Sequence, residues 1–448
     1  MYEQITGNKG IYAFLGTKGK HIGDDGFAFI QMDGDLNTIE VAGFNGASFS
    51  FNGGGNAVTV DDANASMNIS GSKNTLTAGD GNNSAFVGGE AAFTTIASGN
   101  GTNSLNDFGI FTEVTFGDGD NTITSGGTFS AIKSGDGDNT VNTTSESFNT
   151  QIVLGAGNQT ISVDGSDNTI TTSGNLVGGT TVAGFFNTLT ATGDGDYDIT
   201  IGGVRNTVNM GEGHGYVTLI GIRGTFTAQG LAEVHGSASA DTITVLGNND
   251  PNTGTGRTTY VDGGAGNDVI VAPGRLSMIL GGAGNDTLTT GDFGTARGGA
   301  GNDKLYGANG STLDGGAGND ELHFTGGSLY TYGTLTGGAG ADTFFLTNQG
   351  SNGGYNTVTD FNVKAGDKLN LSDLRIDPKT DLGVNVSGNT LYLAWTSNGQ
   401  IQSAFVNGMG DAIVHVGGFS AAMDAGFVAG LNAGAVSIST PSNFGGKG

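Results

Sequence analysis

The sequence contains no cysteine, which excludes disulfides, thiolate metal sites and cysteine catalysis. Proline occurs only 4 times in 448 residues, and glycine follows no strict three-residue period, so a collagen-like helix is excluded. Hydrophobic residues make up 35% and charged residues 13%, both below the usual share for a globular domain. A compact helical or α/β core needs more apolar volume than that. No apolar run approaches the ~18 residues that a membrane-spanning helix requires. The opening Met1-Tyr2-Glu3-Gln4 has neither the basic nor the apolar region of a secretory leader. Basic residues are scarce as well: 16 Lys and Arg stand against 42 Asp and Glu, a net charge of −26. Phosphate backbones and acidic lipid surfaces would be repelled, so neither nucleic-acid binding nor membrane insertion is expected. A cationic partner is favoured, and clustered carboxylates point to Ca²⁺, which takes about six to eight oxygen ligands.

Glycine is what the chain has in excess, 87 residues, and it recurs on a beat. Gly263-Gly264-Ala265-Gly266-Asn267-Asp268 returns at 281–286, 298–303 and 315–320, and at 337–342 with Ala341 in place of Asn. The start-to-start steps are 18, 17, 17 and 22. A weaker copy ends on Asp241, 27 residues before Asp268. In the first half, short strands are led by Asn37, Asn56, Asn74, Asn83, Asn103, Asn121, Asn139, Asn168, Asn187 and Asn206, with looser starts at Gln159, Tyr197 and Gly215.

A repeat of this length, surviving over most of the chain, predicts an all-β fold: a right-handed parallel β-solenoid (β-roll) with a small C-terminal β-rich cap. Each unit is a tight glycine turn followed by a short strand. Glycine supplies the positive φ of the turn, and strand alternation turns one aliphatic side chain inward, as at Ile123 and Leu288. Two units complete one coil, leaving a narrow aliphatic core that accounts for the low hydrophobic content. Asn at a fixed position can stack as a hydrogen-bonded ladder. The expected divisions are 1–235, a solenoid of degenerate repeats held without metal; 236–345, the strong repeats; and 346–448, the cap and an export signal.

Glycine turns can aim several backbone carbonyls at one point, and the sixth-position Asp adds a carboxylate. One loop supplies too few oxygens for Ca²⁺, but a second loop one coil away supplies the rest. The copies at Gly263, Gly281, Gly298 and Gly315 stack on one side and would enclose three sites, with Gly337 contributing a fourth. The opposite side carries degenerate units and is expected to bind little or no metal.

Residues 263–345 resemble the RTX nonapeptide family, Gly-Gly-x-Gly-x-Asp-x-U-x with U large and aliphatic. The resemblance implies ligation from the second, fourth and sixth loop positions, the first two through carbonyls. Those residues are Gly264, Gly266 and Asp268; Gly282, Gly284 and Asp286; Gly299, Gly301 and Asp303; and Gly316, Gly318 and Asp320. Asp342, Asp241 and Asp360 are further candidates. Between Gly236 and Phe345 there are 11 acidic and 4 basic residues, a net of −7. Without a cation this block should be largely disordered, so ion binding would drive its folding.

Beyond Phe345 the beat fades. Thr357 to Phe361 and Gly366 to Ser372 are similar to the segment that caps such coils in secreted proteases and adhesins, matching at Asp360 and Asp367. A strand pair, 388–395 and 402–406, and a further strand at 412–416 are expected, with Trp395 anchoring a small core. The small-residue stretch from Ser420 to Leu431 is similar to an uncleaved type I secretion signal.

None of His21, His214, His235, His323 and His415 lies in an HExxH, and no G-x-S-x-G or P-loop lysine occurs. Tyr12, His21, Tyr197, Arg205, His214 and Arg223 could line the groove of a polysaccharide lyase or epimerase but form no motif. The expected function is non-enzymatic: a secreted calcium-binding structural protein of a Gram-negative cell, serving as a surface layer, filament, biofilm matrix or adhesin. Its expected partners are Ca²⁺, further copies of itself in a homopolymer, a cell-surface polysaccharide and the type I secretion machinery.

Overall fold

The computed structural model describes residues 2–5, 11–15, 28–42, 46–61, 64–211, 215–220, 224–228, 232–246, 259–325, 331–346, 354–362, 364–370, 382–387, 390–397, 400–407 and 436–437. All of its regular elements are strands, and it is a parallel β-solenoid. Two compact units divide it, Met1–Thr225 and Phe226–Gly448.

In the first unit each coil carries two short strands, one in each of two parallel sheets. Ser104–Asp107 pairs with Thr122–Ser125, which pairs with Thr140–Thr143, so Leu105, Ile123 and Val141 stack in register. Across the core, Thr95–Ser98, Glu113–Phe116 and Ala131–Ser134 stack Ile96, Val114 and Ile132. These six side chains are at most 1% exposed, while their strand neighbours face outward. Each buried aliphatic group contributes about 1.5–3 kcal/mol, and one such layer per coil suffices, so a composition poor in apolar residues still folds.

Asn is the fixed point of each turn. Asn37, Asn56, Asn74, Asn103, Asn121, Asn139, Asn168, Asn187 and Asn206 are all buried. The N–H of Asn103 donates to Oδ1 of Asn121 at 3.0 Å, and that of Asn121 to Oδ1 of Asn139 at 3.2 Å. Asn168, Asn187 and Asn206 repeat the relation at 2.8 Å. The turn that leads into the Thr95–Ser98 sheet holds residues in the left-handed region, directly before Asn74, Asn168, Asn187 and Asn206. Lys73, Phe93, Phe111, Phe129, Asn149, Asp167, Phe186 and Arg205 have φ between 51° and 60°.

In the second unit, Val269–Ala272, Thr287–Thr290, Lys304–Gly307, Glu321–Phe324 and Thr343–Phe345 form one parallel sheet. Met278–Ala283, Thr295–Ala300, Thr312–Ala317 and Thr331–Ala339 form the other. Ile270, Leu288, Leu305, Leu322 and Phe344 fill the core beneath the first sheet.

The coil does not stop where the sequence beat fades. Gly354–Val358 and Lys368–Asn370 add to the two sheets in register. An antiparallel set then follows, Leu382–Ser387, Thr390–Ser397 and Gln400–Asn407, the last of which pairs in parallel with Gly354–Val358. The Trp395 side chain, the expected strand at 412–416 and the expected export segment at 420–431 lie outside the described residues.

Candidate metal centre

The expected metal site begins at the turn before each strand of the Val269–Ala272 sheet. Asp268, Asp286, Asp303, Asp320 and Asp342 occupy the position that Asn occupies in the first unit, and each is at most 1% exposed. They form a row. The N–H of Asp268 donates to Oδ1 of Asp286, that of Asp286 to Asp303, and that of Asp303 to Asp320, each at 2.8 Å. Asp320 donates to Asp342 at 2.9 Å, and Asp342 to Asp367 at 3.0 Å. At the other end, Asp241 donates to Asp268 at 2.8 Å. Thus Asp241, Asp268, Asp286, Asp303, Asp320 and Asp342 are brought together as one aligned stack, continued by Asp367, and Asp360 stands outside it.

The second oxygen of each carboxylate sets the chemistry. Oδ2 of Asp268, Asp286, Asp303, Asp320 and Asp342 is buried with no hydrogen-bond donor. A buried carboxylate oxygen without a partner is costly unless a positive charge meets it. The surroundings supply more oxygen rather than donors. The space beside the Gly263 α-carbon, where a side chain would begin, lies 2.5 Å from Asp268 Oδ2 and 2.6 Å from the Gly281 carbonyl of the next loop. The same cradle recurs beside Gly281, Gly298 and Gly315, each time between the Asp of its own loop and the first carbonyl of the next. Beside Gly337 the Asp342 oxygen recurs, but Phe344 replaces the carbonyl. Oxygens that converge from two stacked loops, with no donor among them, are the kind of ligand set that Ca²⁺ takes.

Glycine is required for backbone geometry at the second and fourth loop positions. Gly264, Gly282, Gly299 and Gly316 have φ of 93–111°, and Gly266, Gly284, Gly301 and Gly318 have φ of 108–136°. A side chain at Gly282 or Gly299 would also collide with the carbonyl of the corresponding glycine one coil earlier. The eight candidate carbonyl ligands therefore lie on backbone that only glycine adopts without strain.

The two ends of the row differ from its middle. Oδ2 of Asp241 accepts from the N–H and hydroxyl of Ser237, at 2.8 and 2.9 Å. Oδ2 of Asp367 accepts from the Asn362 N–H at 2.7 Å. Asp360 spends both oxygens on backbone, accepting from Gly337 at 2.9 Å and Gly338 at 2.8 Å.

One contribution escaped the sequence reading. The fifth-position Asn, a free position in the motif, ties successive loops together from outside. The N–H groups of Asn285, Asn302, Asn319 and Ala341 donate to Oδ1 of Asn267, Asn285, Asn302 and Asn319, at 2.7–2.8 Å. Its constancy across the strong copies was the available signal. Ala341 ends this outer ladder without breaking it, because only its N–H is needed.

Burial pushes the carboxyls of Asp268 and Asp320 up to about 7, and those of Asp303 and Asp342 up to about 6. The backbone N–H that each carboxylate accepts opposes the shift, and neighbouring carboxylates add to it. Asp286 and Asp367 are raised by burial too. Among the described residues no three Asp, Glu or His side chains converge on a point, so a cation here would rely on one carboxylate per loop and on carbonyls.

Of the residues considered for a polysaccharide-modifying groove, only Arg205 and Tyr197 have described side chains. Arg205 packs over the Phe186 ring at 5.8 Å, and Tyr197 is buried in the core. His21, His214 and Arg223 lie outside the described residues, as does the side chain of Tyr12.

Residues 253–272, 278–293, 295–322, 311–328 and 334–348 match the model of the RTX calcium-binding nonapeptide repeat, in 4 copies. No curated protein matches the chain.

Proposed function

We propose that this chain, whose segment 253–348 carries RTX calcium-binding nonapeptide repeats, is a secreted, non-enzymatic structural protein that Ca²⁺ rigidifies and that assembles with its own kind outside the cell. The observation that carries the reading is the row of buried Oδ2 atoms, four of which, on Asp268, Asp286, Asp303 and Asp320, share a glycine cradle with a carbonyl of the next loop. Asp268, Asp286, Asp303 and Asp320 would hold one ion each, together with the carbonyls of the second and fourth loop glycines. Asp241 and Asp360 serve as end groups, since their oxygens already accept protein donors.

When bound, the ion supplies positive charge between stacked loops, and this chain's residues hold it in place. Outside a cell, where Ca²⁺ is abundant, the repeats would be ordered; inside, where it is scarce, they would be loose enough for export. An assembly role is supported by the repetitive architecture, which builds extended surfaces and stackable edges. Electron microscopy and light scattering of the full chain, with and without Ca²⁺, test this. Ordered sheets, filaments or oligomers in Ca²⁺ are expected, whereas dispersed monomers would contradict it.

A further inference from the structure

The left-handed corner of the first unit carries a feature that calcium does not explain. One residue per coil stands there with positive φ, running Lys73, Phe93, Phe111, Phe129, Asn149 and Asp167. Their N–H groups donate in turn to the carbonyls of Ala92, Ile110, Thr128, Phe148, Ser166 and Phe185, which fixes them as one column. Left-handed backbone costs a bulky L-residue about 1–2 kcal/mol, and glycine or Asn would avoid most of that. Three successive coils nevertheless place Phe there, with 55%, 45% and 41% of its surface exposed. The rings of Phe93 and Phe111 stack at 5.0 Å and 10°, and those of Phe111 and Phe129 at 5.1 Å and 12°. Phe148 closes the series edge-on to Phe129 at 5.5 Å.

Stacked in this way, the rings hide their faces against one another and present edges, forming an apolar ridge with a period of one coil. A sugar ring, which docks on an aromatic face, finds none free within the stack. Opposite charges flank the phenylalanine run within the column: Lys73 stands one coil before Phe93, and Asp167 stands two coils after Phe129, before Phe186 and Arg205 carry the column on. Lys73 and Asp167 are exposed, and neither forms an ion pair among the described residues.

We propose that the Phe93–Phe111–Phe129 ridge is a self-complementary interface on which a second copy of this chain docks antiparallel. A two-fold axis between Phe111 and Phe129 brings each of these rings against the other's counterpart and Phe93 against Phe148 and Asn149. The same axis places Lys73 of each copy opposite Asp167 of the other, so the charges that flank the phenylalanine run are complementary in this register. A second copy is also the partner whose ridge has the same repeat, and an isologous two-fold contact needs no further surface. The ridge itself is uncharged, which lets two chains of net charge −26 approach along it with least repulsion. This inference rests on the self-association reading above and names its surface.

The test is the mass of the full chain in solution, by size exclusion with light scattering, for the wild type and three sets of variants. Phe93→Asn, Phe111→Asn and Phe129→Asn together remove the ridge while keeping a residue suited to the corner, as Asn149 shows. The mass is expected to fall by about half with the β signal in circular dichroism unchanged. Lys73→Asp and Asp167→Lys should each weaken association by about tenfold, and their combination should restore it; this pair keeps the test decisive if the triple variant fails to fold. An oligomer whose mass neither set alters overturns the interface and leaves self-association standing. A wild-type chain that is monomeric throughout overturns both.

Discussion

The backbone N–H of Asp268 donates to Oδ1 of Asp286 at 2.8 Å, while Oδ2 of that carboxylate is buried without a donor. In the first unit the same skeleton joins Asn103 to Asn121, at 3.0 Å. There the remaining side-chain atom is Nδ2 of Asn121, which donates to the Gly119 carbonyl at 2.8 Å and the Gly117 carbonyl at 3.4 Å. Those carbonyls lie two and four residues before the Asn, as Gly284 and Gly282 lie before Asp286. The amide NH₂ thus supplies those carbonyls with a donor that an aspartate at the same position lacks. One fold uses two solutions at the residue that leads a strand: a covalently attached donor in the first unit, and a place for a cation in the second.

Asp303→Asn should convert one aspartate loop to the first-unit solution. Its new Nδ2 would donate to the Gly299 and Gly301 carbonyls, as that of Asn103 does to Gly99 and Gly101 at 3.2 and 3.1 Å. Bound calcium, counted by elemental analysis of the folded protein, should fall. In chelator the variant should be more stable than the wild type by about 1–3 kcal/mol, the penalty of an unpartnered buried oxygen.

Asn121→Asp is the converse. It sets a carboxylate oxygen against the Gly117 and Gly119 carbonyls and removes the donor to Ser134 Oγ, now at 2.9 Å. Denaturant unfolding of the first unit's transition in chelator should show a loss of about 1–3 kcal/mol. Unchanged stability would contradict the role given to Nδ2.

Gly298→Ala tests the cradle itself. Gly298 is outside the left-handed region, so alanine adds volume without backbone strain. Its Cβ would stand against Asp303 Oδ2 and 2.5 Å from the Gly315 carbonyl. Calcium titration by calorimetry should show fewer or weaker sites, with the strands of the first unit unaffected.

Acid should act oppositely with and without the ion. Burial raises Asp268 and Asp320 to about 7, and Asp303 and Asp342 to about 6, from 3.8. In chelator the folded repeats therefore bind more protons than the unfolded chain. Their stability from these groups is fully present below about pH 4 and is lost as pH rises through 6 to 7. With Ca²⁺, protons compete for the same oxygens, and affinity should fall as pH drops through that window. Circular dichroism across pH, in chelator and in calcium, reads both slopes.

Much of this was legible in the sequence because the relevant positions repeat. The Asp row, the Asn row and the inward aliphatics at Ile123 and Leu288 each follow from spacing alone. The left-handed corner was not legible, because Phe93, Phe111 and Phe129 violate the preference of that conformation for glycine and Asn. The continuation of the coil through Gly354–Val358 and Lys368–Asn370 was missed because neither strand is preceded by the glycine hexapeptide. The end-capping of the row by Ser237 and Asn362 depends on which way single side chains turn, and no periodicity encodes that.

Amide hydrogen exchange on the full chain, compared in calcium and in chelator, tests the central claim most directly. The N–H groups of Asp268, Asp286, Asp303 and Asp320 should be protected in calcium and exchange rapidly in chelator. Those of Asn103 and Asn121, held by the same geometry with a built-in donor, should stay protected in both. Equal protection of the aspartate row in the two conditions would contradict the account.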